Sequence, residues 1–563
     1  MPLSPWATSG KMPNLDYTLT VPRSLVLSRP SQAAGFGEYE QFSEQDFKGQ
    51  QTTQKTHALI GAILSGVGGT AVIAAMIFLS VPVIPACFAL AGLAAAGVYS
   101  YVKFHAIQNQ FPPSLTEGLS PKDFNCKAVG ETIQERGHAV VLPDSIASKK
   151  CKLDLIRHAQ SSIFLSCYMG EEAFDEALDL IKERMDQNRE LKVFIFGSDF
   201  FLTSENKKRL QTIQSAHPNR FFTVLNPEIY LSQHPKSGHL ALSTNHIKLM
   251  TIDEGIYSVV GGTALRPFWT DVAGTEHLAK GRAGFDLLRN PLDAKGFRDM
   301  DFAFKSASRG AGTTAFLEGA KLMLRYAYMQ APELAARLKT EFQALMRRAP
   351  ATTIVPSLDA RVDRAHNARV KWYSSGPDHT QNSYLNALID LVNSATRKIR
   401  IAHMYFHPPQ SFIDALSNAA KRGVKIEIIT NSKSKETPGS HRFFVDLTQN
   451  KYRQLFEREG HQNVKVHEFY RANTTYHKKV IVVDDRFTAF GSSNLGKKSL
   501  GEHADDYEFN GIVDSGELAR ATNEVLQKDI ELSDEVSPEN AKNLSWGTRL
   551  LAYIQELIMA HIL

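Results

Sequence analysis

Cysteine is scarce in this chain, with four in 563 residues: Cys87, Cys126, Cys151 and Cys167. None falls into a C-x-x-C pair, which argues against a metal knuckle or a disulfide scaffold and for a reducing compartment. Net charge is nearly absent as well. The 64 basic and 59 acidic residues leave +5, so this is no polycation built for nucleic acid. A mild positive balance suits an anionic membrane surface. The first residues lack a cleavable signal sequence, since the first apolar run of any length begins near residue 58. Residues 1–56 are rich in Ser, Gln, Pro and Gly and are expected to be poorly ordered.

Charge is missing altogether between Ala58 and Val102. A membrane-spanning helix needs about 20 apolar residues, so the stretch has room for two. Pro82 and Pro85 mark the turn between them, where a missing N–H does least harm. Its Gly and Ala residues allow close helix packing in lipid. Lys48 and Lys55 precede the stretch and Lys103 follows it, which predicts a helical transmembrane hairpin over 57–104 with both flanks cytosolic.

What the chain does have is one pattern written twice. The first copy reads His246-Ile-Lys248-Leu-Met-Thr-Ile-Asp253, and the second reads His477-Lys478-Lys479-Val-Ile-Val-Val-Asp484. Each is H-x-K-x-x-x-x-D, and each is followed by a small-residue turn, Gly261-Gly262-Thr263 or Gly491-Ser492-Ser493-Asn494. One such motif is weak; two on strand-like runs at matching places in a duplicated series are specific.

That series is a succession of helix-like and β-rich runs. KLDLIRHAQ, SIFLSCYM, EEAFDEALDLIKERM, LKVFIFGS, a helix near 204–217 and FFTVLN lead to the first motif. YLNALIDLVNSA, KIRIAHMYF, SFIDALSNAAKRG, VKIEIIT, a helix near 441–459 and VKVHEFY lead to the second. The alternation predicts α/β layers with largely parallel strands, duplicated with a period near 230 residues. The halves are expected over 130–348 and 369–535, joined by a helical stretch from Thr314 to Arg348 and a Pro- and Ala-containing linker. Residues 536–563 carry apolar positions at helical spacing and are expected to form a C-terminal helix.

On a strand, residues two apart share a face, so His and Lys of each motif project together. A pseudo-twofold pairing of the halves would bring two histidines and two lysines into one pocket. Such a pocket fits phosphodiester chemistry. Two ammonium groups offset the charge that builds on the non-bridging oxygens. One neutral imidazole attacks phosphorus, and the other, protonated, serves the leaving alcohol. No cofactor is called for. His403, His407, His441 and His503 show no paired metal spacing and are assigned to surface or packing roles.

The paired motifs, with GSSN after the second, resemble the phospholipase D superfamily over most of 130–535, and bacterial cardiolipin synthases most of all. RVKWYSSGPD, KIRIAHMYFHPPQSFIDALSNAAKRGVKIEIITNS and FRDMDFAF carry the likeness outside the motifs. The resemblance implies two tandem α/β/α sandwich halves with pseudo-twofold symmetry and one shared active site. It implies His246 as nucleophile and His477 as general acid/base, or the reverse. Lys248, Lys479 and Asn494, with Ser492 and Thr263, would hold the phosphate, and Asp253 and Asp484 would brace the motifs. Asp299 and Glu508 would orient the histidines. The family has Asn after its first motif; here Thr263 fills that place at strict spacing, and Ala264 does if one residue is inserted near Glu254-Gly255. The implied function is a membrane-bound phosphatidyltransferase or phosphodiesterase acting on phospholipid through a phosphohistidine. A nuclease of the same superfamily and a catalytically impaired membrane effector are the competing readings. The implied location is a bacterial inner membrane, with the catalytic halves cytosolic, or a host membrane after export.

Overall fold

The computed structural model describes residues 134–542 apart from 167–168, 199–201, 227–229, 234–239, 267–295, 308, 349–351, 363–367, 380, 433–438 and 470–473, together with 112–117, 119 and four positions between 93 and 100. The expected polar segment 1–56, nearly all of the expected hairpin 57–104, and most of the expected C-terminal helix lie outside the described residues. Among the described residues no helix is long and apolar enough to cross a membrane.

The first half runs β1 (Gln134–Leu142), α1 (Ser145–His158), β2 (Ser162–Ser166), α2 (Glu171–Gln187), β3 (Lys192–Ser198), α3 (Ser204–Ala216) and β4 (Phe221–Asn226). A small hairpin follows, β5 (Tyr230–Gln233) and β6 (Leu240–Ser243), and then the motif hairpin β7 (Leu249–Ile252) and β8 (Tyr257–Gly261). β9 (Gly296–Arg298), β10 (Asp301–Ser306), α4 (Arg309–Gln330), α5 (Pro332–Arg347) and α6 (Pro356–Val362) complete it. The second half runs β11 (Ala368–Ser375), α7 (Ser383–Ser394), β12 (Lys398–His403), α8 (Gln410–Lys421), β13 (Lys425–Asn431), α9 (Gly439–Phe456), β14 (Val464–Phe469) and β15 (Thr474–Tyr476). Its motif hairpin is β16 (Lys479–Val483) and β17 (Phe487–Gly491), followed by α10 (Lys497–Leu500), β18 (Glu508–Asp514), α11 (Gly516–Glu531) and β19 (Ser533–Glu535).

Local chemistry sets these boundaries. Asp144 caps α1 by accepting from Ala147 N, and Thr203 with Asn206 forms a reciprocal capping box on α3. The buried positions of α2 are Ala173, Phe174, Ala177, Leu178, Ile181 and Met185, one stripe at helical spacing. The helical stretch expected from Thr314 to Arg348 is two helices. Pro332 cannot continue α4 and instead opens α5 at its first position.

One sheet of 15 strands spans both halves, in the order β19-β14-β13-β12-β16-β17-β18-β11-β1-β10-β8-β7-β2-β3-β4. Counted outward from the β1/β11 seam, the two halves repeat the same order. The seam is antiparallel, from Gln134↔Lys371 to Gly137↔Ala368. This matches the expected pseudo-twofold pairing but corrects the expected strand direction. Only β2-β3-β4 and β12-β13-β14 run parallel, and every other adjacency in the sheet is antiparallel. The cause is the motif itself, which turns back on its own strand at Asp253 and Asp484 instead of crossing over through a helix.

Helices cover both faces. α1, α2 and α3 pack on the outer face of the first half, and α7, α8 and α9 on that of the second. On the other face α4, α5 and α11 share one core that crosses the seam. Phe302 stacks on Phe490 at 4.2 Å, and Phe304 meets Trp372 edge-on at 5.7 Å, so aromatic rings tie the halves together. The linker adds α6, where Asp359 accepts from the Tyr257 hydroxyl and Lys305.

The two motif aspartates end their strands in left-handed backbone, with φ of 53° at Asp253 and 54° at Asp484. Asp253 accepts from the backbone N–H of Gln160, Ser161 and Ser162. Asp484 does the same with Thr396, Arg397 and Lys398. Burial alone would raise the Asp484 carboxyl, but these hydrogen bonds outweigh it and hold it below its ordinary value. Asp484→Ala is expected to cost about 2 kcal/mol by orphaning those donors, read as a lower midpoint in thermal or urea unfolding. Because the folded carboxyl is the stronger acid, this contribution is present above its unfolded pKa and is lost as pH falls through the folded one.

Candidate active site

Each motif histidine sits in extended chain just before its strand, and each lead-in pairs with the opposite half. β15 lies parallel to β9, pairing Thr474↔Gly296, Thr475↔Phe297 and Tyr476↔Arg298. A matching parallel bridge joins Asn245 to Tyr507. In consequence His477 N donates to Arg298 O at 2.9 Å, and His246 N donates to Tyr507 O at 3.1 Å.

The residue after each of those carbonyls is a carboxylate, aimed at the histidine from across the molecule. His246 Nδ1 lies 2.9 Å from Glu508 Oε1, and His477 Nδ1 lies 2.5 Å from Asp299 Oδ2. Nδ1 of each ring is thus directed at a carboxylate, and Nε2 lies on the opposite side of the imidazole. Lys479 Nζ lies 3.2 Å from both ring nitrogens of His477, and Lys248 Nζ donates to His246 O at 3.0 Å. Lys479 also feels the charges of Asp299, Lys248 and Glu508, so the two motifs occupy one electrostatic site.

The two pairs are not alike. Glu508 also accepts from the Ser492 hydroxyl at 2.5 Å and the Ser499 hydroxyl at 2.6 Å. Burial opposes its ionisation, yet the His246 side and these donors bring it down to about 2. Burial pushes His246 down to about 4, with Lys248 and Lys479 adding to the effect and Glu508 opposing it. Burial of His246 decides the outcome at neutral pH. The pair is a neutral imidazole donating Nδ1–H to an ionised carboxylate. Asp299 has its own neighbour's N–H, Met300 N at 2.9 Å, and burial pushes its carboxyl upward. Burial likewise lowers the Lys479 ammonium, against the attraction of Asp299.

All the site residues expected from the sequence are described, and they divide into three groups. His246, Lys248, His477, Lys479, Asp299 and Glu508 form the centre. Asp253 and Asp484 are remote from it: seven residues of extended chain from each histidine place them roughly 20 Å away, where they brace the strand end. Ser492, expected to hold phosphate, gives its hydroxyl to Glu508.

The third group settles the turn after each motif. Gly261 pairs with Asp301 as Gly491 pairs with Asn510. Leu265 bridges to Met169 as Leu495 bridges to Phe406. Ala264 therefore occupies the place of Asn494, and Thr263 that of Ser493. Thr263 N donates to Asp301 as Ser493 N donates to Asn510. The extra residue lies in the first turn, where Glu254 and Gly255 are both left-handed. Asn494 Oδ1 is buried and finds no hydrogen-bond partner among the described residues.

Sequence reasoning missed three features here. His403, assigned to surface or packing roles, pairs in register with Lys479 and is buried beside it with no partner for Nδ1 among the described residues. Lys152 donates to Thr263 O and pairs with Asp301. Asp529 grips the residues next to His477 and Asp299. A buried-looking lysine in α1 is the only sequence signal among them. Among the described residues no group of three or more His, Cys, Asp and Glu could hold a metal ion.

The family described as a cardiolipin synthase, phospholipase D-like domain matches residues 388–530. Cardiolipin synthase 2 of Staphylococcus epidermidis is 23% identical over 394 residues, 68% of this chain and 66% of that protein. A cardiolipin synthase of Clostridium perfringens is 27% identical over 187 residues, 33% of this chain and 36% of that protein. The chain thus spans just under two thirds of the first relative and about a third of the second. Phosphatidylserine synthase of Haemophilus influenzae superposes with a TM-score of 0.52 at 16% identity, covering 76% of this chain and 94% of that one, a likeness of fold.

Two outcomes are expected. In an NMR titration His246 keeps its Nδ1–H tautomer until the pH nears 4, well below the 6.5 of a free imidazole. Since the unfolded chain takes up that proton first, stability falls as pH drops across this window. Gly262→Ala would drive a Cβ into the Asp299 carboxylate. It is expected to displace the carboxylate and abolish the low-field proton signal of the His477–Asp299 bond while leaving that of His246–Glu508.

Proposed function

We propose that this chain, a phospholipase D superfamily protein resembling cardiolipin synthases, is a membrane-associated phosphatidyltransferase or phosphodiesterase working through a phosphohistidine. The observation that carries the reading is the crossed arrangement of two histidines, each held through Nδ1 by a carboxylate of the other half. Such a site has two imidazole Nε2 atoms and two lysines for one phosphodiester.

His246 is assigned as nucleophile because desolvation keeps its imidazole neutral at neutral pH. Its Nε2 attacks phosphorus, the P–O bond to the leaving alcohol breaks, and His477 Nε2–H gives that alcohol its proton. His477 then takes the proton of the acceptor hydroxyl, whose oxygen displaces His246 and restores the neutral imidazole. Lys248, Lys479 and the Asn494 amide face the phosphoryl oxygens. With phosphatidylglycerol as acceptor the product is cardiolipin and free glycerol; with water it is phosphatidic acid.

A lipid substrate is supported by the uncharged run from Ala58 to Val102, which would hold the site at a bilayer surface and raise the effective concentration of lipid. Near-balanced charge weighs against nucleic acid. Ala264 removes one amide from the first half-site, so the phosphate is held unequally, more by the Asn494 side.

The purified chain in detergent is expected to convert labelled phosphatidylglycerol to cardiolipin or phosphatidic acid. His246→Asn and His477→Asn are each expected to lower the rate about 1,000-fold or more. An alkaline denaturing quench, which spares the P–N bond that acid would hydrolyse, should trap the labelled phosphoryl group on the wild type and not on His246→Asn. The dependence of kcat/KM on pH should fall on the acid side near 4, where His246 Nε2 takes a proton. Turnover that survives in His246→Asn would overturn the assignment of the nucleophile. Absence of turnover of any phospholipid by the wild type would overturn the lipid reading.

A further inference from the structure

Below the His477 side of the site lies a buried charge cluster built differently from that on the His246 side, where Asp506 accepts from Thr244 N and pairs with Lys498. Asp529, on α11, is fully buried. Its Oδ2 accepts from Lys478 Nζ at 2.6 Å and from the Tyr476 hydroxyl at 2.9 Å. Its Oδ1 accepts from Arg298 Nε at 2.6 Å, and Arg298 Nη2 lies 2.5 Å away. Lys478 and Tyr476 flank His477; Arg298 precedes Asp299. One carboxylate therefore grips the two chains that carry the His477–Asp299 pair, one chain from each half. At the places equivalent to Lys478 and Arg298 stand Ile247 and Tyr507, neither of which brings a cation.

We infer that Asp529 is a positioning residue for the reaction, fixing the register of β9 against β15 so that His477 Nδ1 stays on Asp299 and Nε2 stays aimed as the general acid. The inference rests on the assignment of His477 as the acid. Removing the carboxylate leaves Lys478 and Arg298 as two buried cations one residue from the reacting pair. Their separation opens the β9/β15 ladder, and with it the hydrogen bond His477 N to Arg298 O. His246, tied to Tyr507 and Glu508, is untouched.

General-acid assistance matters for a poor leaving group and hardly at all for a good one. The test compares a phosphatidyl alkyl ester with a phosphatidyl p-nitrophenyl ester. Asp529→Asn is expected to lower kcat on the alkyl ester about 100-fold with little change in KM, while the first-turnover release of nitrophenolate stays within about threefold of wild type. Lys478→Met, which empties the clamp of its ammonium and leaves Asp529 paired with Arg298, should show the same split; it serves if Asp529→Asn fails to fold. Alongside, the low-field proton of the His477–Asp299 bond, assigned by its loss in His477→Ala, should shift or vanish in both variants. Equal losses on the two esters with that signal unmoved would reduce the cluster to a packing element and overturn the inference. If the wild type cleaves neither ester, the functional reading fails, and the proton signal alone then decides whether Asp529 positions His477.

Discussion

Everything at this site depends on two hydrogen bonds that cross the molecule, His246 to Glu508 and His477 to Asp299. Neither half contains a complete pair. The sheet, the seam and the shared core place segments 262 and 178 residues apart within hydrogen-bonding distance and hold them there. An imidazole buried without its carboxylate would lose both its orientation and its choice of tautomer. The continuous ladder from β12 to β2 through the seam is what supplies the required rigidity, because a crossed pair tolerates little relative movement of the halves.

The two pairs look symmetric in topology and differ in chemistry. Glu508 is held by two serine hydroxyls and stays ionised, while Asp299 has a single backbone donor and is pushed toward its neutral form. Ser492 on one side is replaced by Gly262 on the other, where any side chain would strike Asp299. The shorter carboxylate and the missing side chain compensate for one another. Two imidazoles in one pocket thereby meet different fields, which is what an attacking base and a proton donor require.

Much of this was legible in the amino-acid sequence. The H-x-K-x-x-x-x-D spacing marked His246, Lys248, His477 and Lys479, and the repeated succession of helix and strand marked the duplication. The resemblance drew attention to Asp299 and Glu508, but not to the exchange between halves, because spacing along a chain carries no information about which half a carboxylate serves. Strand direction was misread because Asp253-Glu254 and Asp484-Asp485 lack the glycine pairs that usually announce a hairpin, and yet adopt left-handed turns. Ser492 was read as a phosphate ligand since its hydroxyl partner lies 16 residues away on the next strand. Whether Thr263 or Ala264 stands opposite Asn494 turned on one inserted residue, and only the pairing of Gly261 with Asp301 fixes it.

The seam between β1 and β11 has a consequence for how such a molecule can change. Two separate copies of one half, docked across the same edge, would carry every substitution twice, so Ala264 would force the loss of both amides and Gly262 the loss of both serines. Joined in tandem, the halves are released from that bookkeeping, and each can drift while the other keeps the ancestral residue. The differences between them are a record of that freedom: a covalent linker of some twenty residues between α5 and β11 is what permits one centre to have a left and a right hand.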